Sequence, residues 1–192
     1  VFTHPNVVNA SDINEIPANA MYIEGGLLSS FLMGNIGLAK RRQNRVLVLV
    51  SNHPEQAYID SAVNSVNAAR STYGLNCSAI VSAPVTMKVT WSASGRASGE
   101  ITGIENLLDI IKQHQNTYDV IAITSIIDIE PSIRDHYLIE GQSELESVNP
   151  WGGVEAMLTH TISLATNIPS AHGPMMPSHE VDELDYGVVD AR

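Results

Sequence analysis

The sequence is poor in cysteine, in basic residues and in long apolar runs, and each scarcity excludes a class of protein. One cysteine, Cys77, among 192 residues excludes an intrachain disulfide and favours a reducing compartment. Lys and Arg total 10 against 21 for Asp and Glu, so the net charge of −11 argues against nucleic acid or an anionic membrane as the main partner. No run approaches the roughly 18 apolar residues of a membrane-spanning helix, and no signal peptide is visible. We therefore expect a cytoplasmic protein whose partner is a small-molecule ligand.

The composition is that of one folded domain. With 44% hydrophobic and 16% charged residues, a chain of 192 residues can bury a substantial core. We predict a single α/β domain over residues 1–192. The chain begins at Val1 within a strand-like segment and stops at Arg192 without a closing element. This suggests a fragment that lacks N- and C-terminal segments of a longer polypeptide.

Apolar strands alternate with amphipathic helices along the chain. The run from Arg45 to Val50 is typical of a buried parallel strand, and residues 77–82 form a second predicted strand. Between them, residues 59–69 carry apolar side chains at helical spacing and Gly74 ends the helix, which gives a βαβ unit. The pattern as a whole predicts a three-layer α/β sandwich with a mostly parallel, Rossmann-like sheet.

The same periodicities predict the remaining elements. Strands are expected at residues 1–3, 20–24, 119–127 and 168–171. Helices are expected after Gly26, over residues 104–111 with Thr102 and Glu105 as a capping box, and after Gly153. Residues 91–99 are predicted to be a small-residue loop. The last helix is expected to bury a stripe of Val154, Met157, Leu158, Thr161 and Ala165.

Two histidines at predicted strand ends are the first candidates for chemistry. Ligands of parallel sheets bind beyond the carboxyl ends of the strands, where His4 precedes Pro5 and His172 precedes Gly173. Histidine titrates near neutrality, so we predict that His4 and His172 perform acid/base catalysis. An isolated histidine is more often structural or exposed, and that alternative stays open.

The residues predicted to bind substrate are Asn6, Asn9, Arg96, Gly152, Gly153 and Glu155. The two asparagines are turn formers with free side-chain amides. Arg96 is the single cation of its loop and can bind a carboxylate or phosphate through two parallel hydrogen bonds. The two glycines introduce a helix whose first backbone N–H groups suit an anion. For Arg96 the alternative is a plain surface loop. For the two glycines it is a simple turn that leads into the helix.

Several catalytic motifs are absent from the sequence. Neither the phosphate-loop pattern nor G-x-G-x-x-G occurs, so nucleotide binding has weak support. There is no H-E-x-x-H zinc motif and no G-x-S-x-G nucleophile elbow, and the latter argues against an α/β-hydrolase triad. A metal site would require His4, His172 and a carboxylate such as Glu24 or Asp128 to meet in space. We assign no metal ligand and identify no cofactor.

Five short motifs carry a resemblance to a known family. They are T-H-P-N-V-V-N-A at 3–10, M-Y-I-E-G at 21–25, R-Q-N-R-V at 42–46, P-W-G-G-V-E-A at 150–156 and A-H-G-P at 171–174. With these motifs the chain resembles the domain-of-unknown-function 3326 family of bacteria and photosynthetic organisms over nearly its whole length. Family members are longer, with a glycine-rich segment before the His4 strand and a further segment after Arg192. The resemblance supports the choice of site residues and implies no particular reaction.

Three functional hypotheses follow from these patterns. The first is an enzyme that acts on a small polar or anionic metabolite, in which case His4→Ala and His172→Ala fold but lose turnover. The second is a non-catalytic ligand-binding or regulatory domain, in which the same changes reduce only affinity. The third is a structural subunit of a homo-oligomer or of a complex, whose interface contains the family motifs.

Overall fold

The computed structural model describes residues 2–3, 17–40, 43–135, 137 and 149–175. Strands and helices alternate along this part of the chain, as the apolar periodicities predict. In chain order the elements are β1 (Phe2–Thr3), β2 (Met21–Tyr22), α1 (Gly25–Leu32), β3 (Val46–Ser51), α2 (Gln56–Tyr73), β4 (Cys77–Ser82), β5 (Thr86–Trp91), β6 (Ala97–Thr102), α3 (Ile104–Gln113), β7 (Val120–Ser125), β8 (Ile127–Asp128), α4 (Pro131–Asp135), α5 (Pro150–Thr166) and β9 (Ser170–Pro174).

A four-stranded sheet with the order β4-β3-β7-β9 forms the centre of the fold. All of its neighbouring strands are parallel, and the register places Leu49 beside Ile123 and Ile123 beside His172. The predicted unit β3–α2–β4 is confirmed, and Gly74 ends α2 in the left-handed conformation with φ 63°. The prediction of an α/β fold with a mostly parallel sheet is therefore confirmed.

The two faces of this sheet contact different apolar clusters. On one face, Leu49 and Ile123 are buried with residues of α3, α5 and β5, and this cluster is the main core. On the other face, Val50 packs with Ile59 of α2 and with Met175. Because successive residues of a strand point to opposite faces, the continuous apolar runs of β3 and β7 supply both clusters.

The predicted loop at residues 91–99 is largely a β-hairpin instead. Strands β5 and β6 pair antiparallel, and only residues 92–96 form the turn. Thr102 belongs to β6, where its hydroxyl contacts that of Thr86, so the predicted capping box does not form. Gly103, with φ 86°, is the N-cap of α3 instead. Strand β6 consists largely of small residues and lacks the alternation of apolar and polar side chains that normally identifies a strand in a sequence. It was therefore not predicted.

Helix α5 is rotated relative to the predicted apolar stripe. Its buried residues are Pro150, Gly152, Val154, Glu155, Leu158, Thr159, Ile162 and Ser163. Met157, which the stripe placed in the core, is 41% exposed. Glu155 and Ser163 are tolerated inside because their side chains hydrogen-bond to β9, and the Thr159 hydroxyl is satisfied by the Glu155 carbonyl oxygen within the helix.

Three other predicted boundaries differ from the structure. The strand at residues 20–24 is only β2, because Glu24 caps α1 and the two following glycines belong to that helix. The strand at 119–127 is divided into β7 and β8, and Asp128 lies in β8 beside Lys88 of β5. The last strand extends to Pro174, so His172 lies within it. Within the described ranges, no helix has the length and apolarity that crossing a membrane requires.

Candidate functional site

His172 lies at the centre of a three-residue hydrogen-bonded cluster. Its Nδ1 atom is 2.9 Å from Oε1 of Glu155, and its Nε2 atom is 3.0 Å from Oγ of Ser125. The order of these contacts, carboxylate to imidazole to hydroxyl, is that of acid/base relays in which a carboxylate orients a histidine. We call Ser125, His172 and Glu155 the buried relay.

Three elements bring the buried relay together. His172 of β9 is in register with Ile123 of β7, and Ser125 follows Ile123 by two residues, so Ser125 points to the same face of the sheet. Ser125 is also the last residue of its strand, which places the relay at the carboxyl edge of the parallel sheet. Glu155 reaches the imidazole from α5, the helix that packs on this face.

A second set of hydrogen bonds fixes α5 against β9 next to the relay. The Ser170 hydroxyl, two residues before His172, donates to the carbonyl oxygen of Thr159 at 2.9 Å. It also lies 2.9 Å from the hydroxyl of Ser163. Thr159 in turn donates to the carbonyl oxygen of Glu155 at 3.0 Å. These contacts fix the rotation and the position of α5 relative to β9. They therefore determine where the Glu155 carboxylate lies.

The hydrogen bonds of the relay define which atoms donate. With Glu155 ionised, Nδ1 of His172 carries the proton and donates it to the carboxylate, and Nε2 is left as an acceptor. Ser125 has one hydroxyl proton, and its Oγ lies 3.0 Å both from that nitrogen and from the sulfur of Met87. A thioether is a weak acceptor, so we infer that the hydroxyl donates to the imidazole.

The relay is enclosed by the protein. Ser125 is 0% exposed, and the side chains of His172 and Glu155 are 0% and 9% exposed. Electrostatic interactions are stronger in such surroundings than in water, because little solvent screens them. The hydrogen bonds that join these three side chains are therefore little screened by solvent.

A second glutamate–histidine pair connects α5 to α1. The Glu24 carboxylate is 0% exposed, and its Oε1 atom lies 3.0 Å from Nε2 of His160. Its other oxygen accepts the backbone N–H of Leu27 at 3.1 Å and thereby caps α1. A side chain at Gly25 would overlap the imidazole of His160, which would then have to move away. The His160 side chain itself is 44% exposed.

Of the residues predicted from the sequence, the structure brings His172 and Glu155 together. His4, Asn6 and Asn9 lie outside the described residues, and their roles stay predictions. Arg96 is exposed in the turn between β5 and β6, where its backbone N–H donates to the hydroxyl of Ser92. The structure shows no contact between Arg96 and the relay, and its anion-binding role stays a prediction.

The two glycines at the start of α5 have structural roles in this fold. The Gly152 N–H donates to the side-chain oxygen of Asn149, the N-cap residue, at 3.3 Å. A side chain at Gly153 would overlap the backbone of Ala97, so glycine allows α5 to approach β6 closely. An anion at these amide groups stays a prediction.

Ser125 was not among the residues predicted from the sequence. The signal in the sequence was weak: Thr124 and Ser125 are polar residues at the end of an apolar run. Its proximity to His172 depends on β9 lying beside β7, which the sequence does not reveal. In the part of the chain that the structure describes, no three His, Cys, Asp or Glu side chains form a group that could hold a metal ion.

Comparisons with known proteins place the chain in a family without assigning a reaction. The sequence model of the family described as "Protein of unknown function (DUF3326)" matches residues 1–188. An uncharacterized lipoprotein from Synechococcus sp. is 26% identical over 185 residues, which are 95% of this chain and 51% of the relative. The chain thus spans about half the length of this curated relative. No solved structure matches the chain.

The comparison with the lipoprotein corrects the predicted location. A lipoprotein is anchored to a membrane through its lipid, so this relative contradicts the prediction of a cytoplasmic protein. The low cysteine count and the lack of a long apolar run did not bear on this question, because a lipid anchor requires neither a disulfide nor a spanning helix. The match over residues 1–188 confirms the resemblance found in the sequence, and the chain belongs to the DUF3326 family.

Proposed function

We propose that the protein is an enzyme that acts on a small polar or anionic metabolite and uses His172 as its acid/base. The observation that carries this proposal is the contact of one imidazole with Glu155 on one side and Ser125 on the other, at 2.9 and 3.0 Å. The relay lies at the carboxyl edge of the parallel sheet, where ligands of such sheets usually bind. His4 remains the second acid/base candidate of this proposal.

The hydrogen bonds define a route for one proton. As Ser125 accepts a proton from the substrate, it passes its own hydroxyl proton to Nε2 of His172. Glu155 stabilises the imidazolium that forms, since it already accepts the proton on Nδ1. The reverse transfer returns a proton to the product, so the relay is unchanged after one cycle.

Proton abstraction from carbon provides a test that does not require the substrate to be known. The protein would be incubated in D₂O with a defined mixture of small carboxylates, phosphate esters and amino acids, and ¹H NMR would follow loss of C–H signals. The wild type should exchange or convert at least one compound. His172→Gln should lower that rate by about 10²–10⁴-fold, the usual contribution of a general acid/base.

The second glutamate–histidine pair supplies the control. His160→Gln removes an imidazole from α5, the helix that carries Glu155, without changing a residue of the relay, and it should retain the wild-type rate. A wild-type protein that changes no compound, or a His172→Gln variant as active as His160→Gln, would contradict the proposed catalysis. Circular dichroism and thermal unfolding would establish that each variant is folded.

The burial of the relay favours a second candidate function. Ser125 and the His172 side chain are fully enclosed, so a substrate reaches them only if the residues that cover them move. A non-catalytic ligand-binding or regulatory domain needs no such access, because the relay would then order the sheet edge on which the ligand rests. This candidate predicts a ligand-dependent rise in unfolding temperature without turnover, and a loss of that rise in His172→Gln.

Two further properties belong to the proposal. We propose the three-layer, Rossmann-like arrangement, which is supported by apolar clusters on both faces of the central sheet. We also propose a membrane-anchored location, which is supported by the lipoprotein description of the Synechococcus relative. Fractionation of cells that express the native gene tests the location, and recovery of the protein in the soluble fraction would exclude it.

A further inference from the structure

A cavity of about 1180 Å³ lies at the opposite edge of the sheet from the buried relay. Residues immediately before three parallel strands form part of its wall: Arg45 before β3, Asp119 before β7 and Pro169 before β9. The segments 19–23 and 36–40 form much of the rest. Its volume is slightly above the roughly 300–1,000 Å³ that is typical of small-molecule sites. The proposed catalysis makes no use of it.

The wall of the cavity combines an apolar surface with free amide groups. Leu27, Ile36, Leu38 and Ile168 contribute apolar side chains. Asn44, Asn116 and Asn167 also line the cavity, and no hydrogen bond joins their side chains to another residue of the described chain. A predominantly apolar wall with a few free polar groups is the usual composition of a small-molecule site.

Among the described residues that line the cavity, one cation has no partner in the described part of the chain. Arg45 is held by Asp119 through two hydrogen bonds of 3.2 and 2.9 Å, and its third nitrogen donates to the carbonyl of Asn116 at 3.0 Å. The hydrogen bond that Arg45 donates to Asp119 raises the pKa of Arg45, and the carboxylate pairs with its charge. Lys40 has no hydrogen bond or ion pair with any residue that the structure describes.

We propose that this cavity binds a small amphipathic organic anion, with its acidic group at Lys40 and its apolar body on the Leu27–Leu38–Ile168 wall. Lys40 is the local charge that selects an anion, although the whole chain carries a net charge of −11. The free asparagine amides supply hydrogen-bond donors and acceptors for further polar groups of the ligand. A carboxylate, a sulfonate and a monoalkyl phosphate share the required chemistry.

The test uses 8-anilinonaphthalene-1-sulfonate, whose fluorescence rises on binding and which has an apolar ring system and one sulfonate. The wild type should bind it saturably at one site, and hexanoate should displace it more effectively than the uncharged hexanol. Lys40→Met keeps most of the apolar stem and removes the charge, and it should weaken binding by about tenfold, as expected for loss of a charge-assisted contact.

Matched variants locate the binding. Lys112→Met removes a lysine from the exposed side of α3 and should leave the affinity within a factor of about two, as expected for a distant surface charge. Leu38→Asp should abolish binding, and His172→Gln should leave it unchanged because the relay lies at the other edge of the sheet. Binding without saturation, or equal affinities for Lys40→Met and Lys112→Met, would overturn the proposal. Each variant would first be shown to unfold cooperatively, because the dye also binds partly unfolded chains.

Discussion

Two glutamate–histidine pairs involve helix α5, and they differ in which partner is enclosed. In the pair of Glu155 and His172, the imidazole is 0% exposed and contacts Ser125 on its other side. In the pair of Glu24 and His160, the carboxylate is 0% exposed and the imidazole is 44% exposed. The N–O distances, 2.9 and 3.0 Å, are nearly the same. The difference therefore lies in the surroundings and not in the contact itself.

The surroundings decide what each pair contributes. Loss of one partner from an enclosed pair leaves a polar group in low dielectric without its hydrogen bond, whereas water can replace an exposed partner. The enclosed histidine is also held by two partners, so its orientation is fixed. His160 lies beside the Glu24 carboxylate of the loop before α1 and its ring is partly exposed, so we infer that this pair mainly connects α1 to α5.

Removal of the carboxylate from the enclosed pair should have the largest effect on stability. Glu155→Ala leaves the His172 ring buried without its acceptor, and we expect a loss of about 3–5 kcal/mol in the free energy of unfolding, measured in urea. Glu105→Ala, at an exposed position of α3, should change it by less than about 0.5 kcal/mol. A loss below about 1 kcal/mol for Glu155→Ala would show that burial does not distinguish the two pairs.

The close approach of α5 to β6 provides the next largest effect. In Gly153→Ala the new methyl group overlaps the backbone of Ala97, which cannot rotate away as a side chain could. We expect a loss of about 1–3 kcal/mol, typical of overpacking, and a displaced Glu155. Gly37→Ala, whose new methyl group contacts nothing within 4 Å, is the control. If the two variants had equal unfolding midpoints, the close approach of α5 to β6 would not contribute to stability, and it would not be what holds Glu155 in the buried relay.

The pair of Glu24 and His160 should contribute less to stability than the pair of Glu155 and His172, and its contribution should be more sensitive to salt. His160→Ala should cost about 1 kcal/mol at low ionic strength, because water rehydrates the site and screens the pair. The cost should fall in 1 M NaCl, where the Debye length is about 3 Å. The cost of Glu155→Ala should change little under the same conditions. If both costs fell equally with salt, the proposed difference in solvent access would be wrong.

The elements that follow from local pattern were predictable from the sequence. Strand β3, helix α2 with its end at Gly74, and helix α3 each carry an apolar period that identifies them without knowledge of their neighbours. The family resemblance was equally local, since short motifs carried it. The β-hairpin at residues 86–102 was missed in part because its second strand consists largely of small residues.

The contacts of the buried relay could not be predicted in the same way. Ser125 and His172 are 47 residues apart and meet only because β9 pairs with β7. Glu155 faces inward only because the Ser170 and His172 side chains on β9 offer polar partners, which turns the helix away from its apolar stripe. Apolar periodicity predicts which apolar residues of a helix are buried. It does not show that a distant strand offers a hydrogen-bond partner to a polar residue of that helix.

Tyr118 allows the effect of burial to be tested at a group whose pKa is shifted in a known direction. It is 6% exposed, its hydroxyl donates to the Ile111 carbonyl at 2.6 Å, and burial raises the pKa of the phenol above its ordinary value of about 10. Near pH 8, Tyr118→Phe should lose about 1 kcal/mol with that hydrogen bond. As the pH rises above about 10, the unfolded chain ionises first, so the wild type loses stability relative to Tyr118→Phe. Tyr73→Phe, at a position 82% exposed, should leave the stability near pH 8 unchanged. Urea unfolding at pH 8 and pH 11 measures both, and a constant difference between the wild type and Tyr118→Phe would show that enclosure in this core does not shift the titration of a polar group.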